Sequence, residues 1–137
     1  MAFLTPEDYG TQIRTEQLHV ITDEDGTVLP KAELYAQQLC ESYLRSRYDV
    51  AAIFAATGDD RSALLVTYMV DISLYTVHSR HGRAQMPEKR IVRYDQALEW
   101  LKAIGKGSIT ADLPLLPPAE RPGGFKWGSA PKQTLSW

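Results

Sequence analysis

Residues 61–79 (RSALLVTYMVDISLYTVHS) form the most apolar stretch of the chain, and they constrain the fold more than any other segment. Apolar side chains would occur on almost every side of a helix formed by this stretch, which is typical of a core helix or a membrane span. Asp71 lies near its middle, and the apolar run is shorter than the ~20 residues that a bilayer requires. The stretch therefore predicts a central helix that other helices surround.

Proline and glycine divide the first two-thirds of the chain at regular intervals. Pro6, Pro30 and Pro87 stand where helices could begin, because proline suits the first helical position. Glycines stand where helices could end, at Gly10, Gly26, Gly58, Gly82 and Gly105. We predict a mainly α fold, a compact bundle of about three long and two or three short helices around residues 61–79. The predicted surrounding helices cover residues 6–10, 15–21, 30–48, 50–56 and 87–104.

The composition changes at residue 107, so we divide the chain into a helical domain (1–106) and an extended tail (107–137). Five of the eight prolines and four of the nine glycines lie in this tail, which lacks a helical period. A disordered linker usually lacks large apolar residues, but this tail has several. It could dock on its own domain or on another subunit. The possible interface residues are Phe125, Trp127, Leu135 and Trp137.

We find no constellation of residues typical of an enzyme, and we predict neither a catalytic site nor a cofactor or metal. His78 and His81 are three residues apart but have no third ligand, so they make a poor metal site. Cys40 lies on the apolar stripe of the third helix and is expected to be a buried core residue. A single cysteine and the lack of a secretory signal pattern predict a cytoplasmic protein.

Asp71 is the residue that the pattern singles out. A carboxylate in the middle of a buried helix is costly unless it is paired or hydrogen-bonded. We predict an internal ion pair with Arg93 or Arg47 as the partner. Arg93 lies beside the apolar seam of the last helix, from which it can reach inward.

Four stretches of the chain, taken in order, resemble the phage Mu-like gp36 family of tailed phages and prophages over residues 1–113. These stretches are 3–9 (FLTPEDY), 22–26 (TDEDG), 42–48 (SYLRSRY), and 70–75 (VDISLY) followed by 93–101 (RYDQALEWL). The family is similar to small helical head-completion, or adaptor, proteins. The resemblance implies a ring of subunits in the virion neck that joins the portal protein to tail proteins. DNA would pass through this ring without sequence-specific binding, and the subunit would occupy the host cytoplasm before assembly.

One basic cluster bears on that role: Arg80, Arg83, Lys89 and Arg90. It could face the ring lumen or the portal, or it could be an ordinary solvated turn. The formal net charge of −2 gives the chain no global basic field. The alternative function is a small cytoplasmic helical regulator or nucleic-acid-binding module. Acidic side chains on the last helix disfavour that alternative, because they would repel phosphate.

Overall fold

The computed structural model describes residues 3–82 and 86–120, and it confirms a mainly helical fold. Within these residues, the six α-helices are α1 (Pro6–Tyr9), α2 (Thr15–Ile21), α3 (Val28–Leu44), α4 (Val50–Ala55), α5 (Ala63–His78) and α6 (Glu88–Lys106). Helix α5 is the central one, as predicted, because it packs against both α3 and α6. Its Leu65, Val70, Ile72 and Leu74 side chains are fully buried.

Helices α3, α5 and α6 form the core, and small residues bring them together. Ala36 and Cys40 of α3 and Ala97 of α6 are fully buried, which lets the helix backbones approach closely. The expectation that Cys40 is a core residue is confirmed, and burial raises the pKa of its thiol to about 12. Aromatic contacts add to the α5–α6 interface, where the Tyr75 and Tyr94 rings stack with centroids 3.9 Å apart.

The predicted helix boundaries hold for α2 but differ at two longer helices. Helix α3 begins two residues before Pro30, which is tolerated because the N–H groups of the first turn have no partner within the helix. Helix α6 runs through Gly105 and ends at Gly107, which adopts the left-handed conformation with φ 79°. A glycine in this conformation is a common helix end. The guanidinium of Arg47 lies so close that a Cβ on Gly107 would be 2.7 Å from it.

The N-terminal residues are held by an ion pair that the sequence did not reveal. Arg61 donates two hydrogen bonds to the carboxylate of Asp8, at 2.6 and 3.0 Å, and a third to the Phe3 carbonyl. Burial alone would raise the pKa of Asp8, but the hydrogen bonds from Arg61 and from the Thr5 amide lower it overall. This contact fixes α1 against the start of α5.

The first part of the predicted tail packs on its own domain. The Ala111 amide donates a hydrogen bond to the Tyr48 hydroxyl at 2.9 Å. The Asp49 amide donates to the Pro114 carbonyl, and the Leu116 amide donates to the Arg47 carbonyl, both at 2.9 Å. The tail is thus held across the α3–α4 connection. The predicted interface residues lie outside the described residues: Phe125, Trp127, Leu135 and Trp137.

Candidate interaction site

A buried ion cluster joins the central helix to α6. Asp71 is only 1% exposed, and its Oδ1 accepts a hydrogen bond from Arg93 Nε at 2.7 Å. Arg90 Nη1 lies 3.7 Å from the same oxygen. The prediction of Arg47 as a partner is wrong, because Arg47 lies at the C-terminal end of α6 beside Gly107. That end is about 21 Å from Arg93 along the helix axis.

Arg90 is the member of this cluster that the sequence prediction missed. It precedes Arg93 by three residues, a spacing that places both side chains on one helix face. The sequence prediction instead groups Arg90 with Arg80, Arg83 and Lys89 in one basic cluster. Arg90 is 5% exposed. Burial lowers the pKa of its guanidinium, and the carboxylate of Asp71 opposes that shift.

Arg90 also connects the cluster to the N-terminal part of the chain. Its Nη2 donates a hydrogen bond to the Gln12 carbonyl at 2.9 Å. Asp71 Oδ2 and Arg90 Nη1 have no hydrogen-bond partner among the described residues. A buried ion cluster with unsatisfied groups is a weak source of stability, because desolvation offsets much of the attraction. We interpret it as fixing how α5, α6 and the α1–α2 connection lie relative to one another.

An open groove of about 530 Å³ lies directly over this connection. Its walls come from α2, from the end of α5 and from the start of α6. Val20 is 71% exposed and forms part of the apolar lining, which also includes Ile13, Ile21 and Pro87. Glu16 and Lys89 contribute opposite charges to the lining. A groove of this size and character suits apolar side chains of a peptide or another protein.

His78 contributes the imidazole in the groove wall. It is 9% exposed, and its pKa is lowered by burial first, and then by the nearby positive charge of Arg90 and by His81. The neutral imidazole is therefore favoured in the folded protein. The His81 ring lies 2.7 Å from the Ile21 carbonyl, so the turn that follows α5 (Ser79–His81) also holds the end of α2.

The predicted basic cluster does not form one surface patch in the part of the chain that the structure describes. Arg80 Nη1 lies 3.5 Å from a carboxylate oxygen of Asp23, and Arg90 is buried. Lys89 is exposed beside the groove, whereas Arg83 lies outside the described residues. Arg90 was thus placed wrongly, because it reaches inward to Asp71 and Gln12.

Residues 3–82 and 86–120 contain neither a cluster of metal ligands nor a helix that could span a membrane. Within these ranges, no three histidine, cysteine, aspartate or glutamate side chains lie together as metal ligands would. None of the described helices has both the length and the hydropathy that a membrane span requires.

Comparisons with known proteins place the chain in a family. Searches of the curated proteins and of the solved structures find no significant match. The profile of one family, described as Bacteriophage Mu, Gp36, matches residues 3–126. This range includes every helix described above and extends beyond the last described residue. The resemblance noted in the sequence is confirmed over most of the chain's length. The chain belongs to the bacteriophage Mu Gp36 family.

Proposed function

We propose that this protein is a structural head-completion, or adaptor, subunit in the neck of a tailed phage or prophage particle. In this role, copies of the chain form a ring that joins the portal protein to the tail proteins. Membership of the bacteriophage Mu Gp36 family is the observation that carries the proposal. The role is one of assembly rather than catalysis, and before assembly the subunit resides in the host cytoplasm.

The surface of the helical body is compatible with assembly. Subunits in a ring bury one patch against a different patch of the next subunit. The groove formed by α2, α5 and α6 offers one apolar patch, where Val20 is exposed. Ile91 and Val92 of α6 are 36% and 48% exposed and offer apolar surface outside the groove lining. Contiguous exposed apolar surface is typical of sites that bind other proteins, and the groove is the better candidate for such a site.

The charges also agree with a ring through which DNA passes. Tight DNA binding requires several exposed lysine or arginine side chains that contact phosphates. Arg90 is buried, and Arg80 lies near Asp23, so these two arginines are not free to act together on a phosphate backbone. We propose that DNA slides through the lumen without sequence-specific contacts.

Electron microscopy of the full-length protein mixed with its cognate portal protein tests the proposal. We expect end views in which a ring of this protein lies coaxially on the portal ring. The matched control is a portal protein from an unrelated phage, which should collect no such ring. A mixture without rings, together with retention of the protein on a DNA column at moderate salt, would overturn the proposal and favour a nucleic-acid-binding regulator.

A further inference from the structure

We infer that the groove formed by α2, α5 and α6 binds residues 121–137 of a second copy of this chain. This segment is called the aromatic segment below. The inference rests on the ring proposed above and deepens it, because it names the contact that would hold neighbouring subunits together. It identifies the groove and the aromatic segment as the two sides of one interface.

The groove has an apolar lining and a defined shape. Ile13, Val20 and Ile21 contribute apolar surface, and Val20 is the most exposed large apolar residue of the described chain. The hydrogen bond from Arg90 to the Gln12 carbonyl links the groove wall to the buried ion cluster. A volume of about 530 Å³ lies within the usual range for sites that receive drug-sized ligands, roughly 300–1,000 Å³. Bulky aromatic side chains can therefore enter it.

The aromatic segment has the composition that such a groove requires. Its sequence, RPGGFKWGSAPKQTLSW, contains four large apolar residues, namely Phe125, Trp127, Leu135 and Trp137. Aromatic residues are the commonest anchors in protein interfaces, because they bury a large area at a small loss of side-chain entropy. The prolines also limit the conformational entropy that an extended peptide loses on binding.

The basic charge of the aromatic segment has acidic partners on the α2 side of the groove. The aromatic segment carries three basic side chains (Arg121, Lys126 and Lys132) and no aspartate or glutamate. On the receiving side, Glu16 of α2 lines the groove opposite Lys89, and the exposed Glu24 follows α2. Complementary charges favour encounter and fix the orientation of the segment.

The aromatic segment is long enough to reach a groove at the far end of α6, in its own chain or in a neighbour, and the ring proposed above favours the neighbour. Leu116 is held at Arg47, beside the C-terminal end of α6, whereas the groove includes Lys89 and Arg90 at its N-terminal end. These ends are about 25 Å apart along the helix, and the 17-residue segment can span about 56 Å when extended. Contact between opposite ends of two copies is heterologous, and such contacts propagate into a ring when the rotation closes.

Disulfide trapping between full-length chains tests the inference. One variant carries Val20→Cys in the groove, and a second, of distinct mass, carries Trp127→Cys in the aromatic segment. The two are mixed and mildly oxidised, so a mixed covalent dimer requires contact between chains. The control replaces the first variant with Leu64→Cys, which is 49% exposed and about 20 Å from the groove end of α5. We expect about tenfold more mixed dimer with Val20→Cys than with Leu64→Cys.

Cys40 does not compete in this reaction, because its side chain is fully buried and its thiol pKa is raised to about 12. Equal yields from the two mixtures would overturn the inference. A second contradicting result would be an intramolecular crosslink in the double variant V20C/W127C together with no mixed dimer from the two single variants. Each chain would then bind its own segment. The assay requires no portal protein. Rings on the portal without trapping would refute only this contact, and trapping without rings would refute only the neck role.

Discussion

At the scale of single residues, Asp71 shows how a buried charge can organise a helical core. It is surrounded by fully buried apolar residues of α5, and two arginines of α6 approach one of its oxygens. The Arg93 side chain is 30% exposed and can turn towards water, whereas the Arg90 side chain is only 7% exposed. Removing the carboxylate would therefore leave the charge of Arg90 buried without compensation.

We expect Asp71→Leu to lower the free energy of unfolding by about 3–5 kcal/mol, the usual cost of breaking a buried ion pair. The double variant Asp71→Leu/Arg90→Met should recover most of that loss, because it replaces both buried charges with apolar groups. Urea unfolding followed by circular dichroism measures both values. Glu16→Gln is the control, because the Arg14–Glu16 pair is about 80% exposed and should contribute little. A double variant no more stable than the single one would contradict this account.

At the scale of elements, the end of α6 combines two constraints at one glycine. Gly107 has a positive φ, and the guanidinium of Arg47 occupies the space where a Cβ would lie. Gly82 has a positive φ of 86°, but no atom lies within 4 Å of the position that a Cβ on this residue would occupy. Gly26 has neither feature. These three glycines therefore separate backbone strain from side-chain contact.

We expect alanine substitutions at Gly107 and Gly82 to destabilise the protein more than Gly26→Ala does. Gly82→Ala should cost about 1–3 kcal/mol, because Gly82 combines its positive φ with an extended ψ of 163°, a region that L-residues rarely adopt. Gly107→Ala should cost about 1 kcal/mol for the left-handed conformation, because the end of the flexible Arg47 side chain can turn aside. Gly26→Ala should be neutral or slightly stabilising, because it reduces the entropy of the unfolded chain. Thermal unfolding of the three variants measures the losses, and a loss at Gly107 well above that at Gly82 would show that Arg47 cannot turn aside.

The elements were largely predictable because their signals are local. Proline, glycine and the all-round apolar stretch were enough to predict α5 and α2. The end of α6 was predicted at Ile104 because Gly105 is also a glycine, but Gly105 remains helical and Gly107 turns left-handed. Local sequence could not decide between two glycines that are two residues apart. The contact with Arg47, from another helix, accompanies the actual end.

At the scale of the whole molecule, the stability should depend on pH through His78. Burial and nearby positive charge lower its pKa from the ordinary value of 6.5, so the unfolded chain binds a proton at a higher pH than the folded protein does. The contribution of neutral His78 to the free energy of unfolding is fully present above pH 6.5. It is lost as the pH falls towards the pKa that His78 has in the folded protein. Asp8 adds a second decline below its ordinary pKa of 3.8, because its folded pKa is also lowered.

We therefore expect the free energy of unfolding to fall between pH 7.5 and pH 5.5, and His78→Gln to reduce that slope. His19→Gln is the matched control, because His19 is exposed on α2 and the substitution makes the same change of side chain away from the buried environment of His78. Urea titrations at a series of pH values measure both slopes. An identical pH dependence in the two variants would show that a group other than His78 is responsible.

The candidate site was less predictable than the fold because it is assembled from distant parts of the chain. A lone carboxylate in an apolar helix indicated that Asp71 needs an arginine, and the seam of α6 indicated Arg93. The groove has no such signal, since Gln12, Val20, His78 and Arg90 come from distant parts of the chain and line one groove only in the folded protein. Periodicity reports which face of a helix is buried, but it does not report which helix ends leave a gap between them.

The antiparallel bridge between Tyr48 and Leu115 has a consequence for assembly. The bridge fixes the chain at Leu115 and so tethers the residues that follow to the helical domain. Tethered groups commonly reach effective concentrations in the millimolar range once their carriers are held side by side. Subunits that associate weakly in solution would therefore form a closed ring once a common template holds them next to one another.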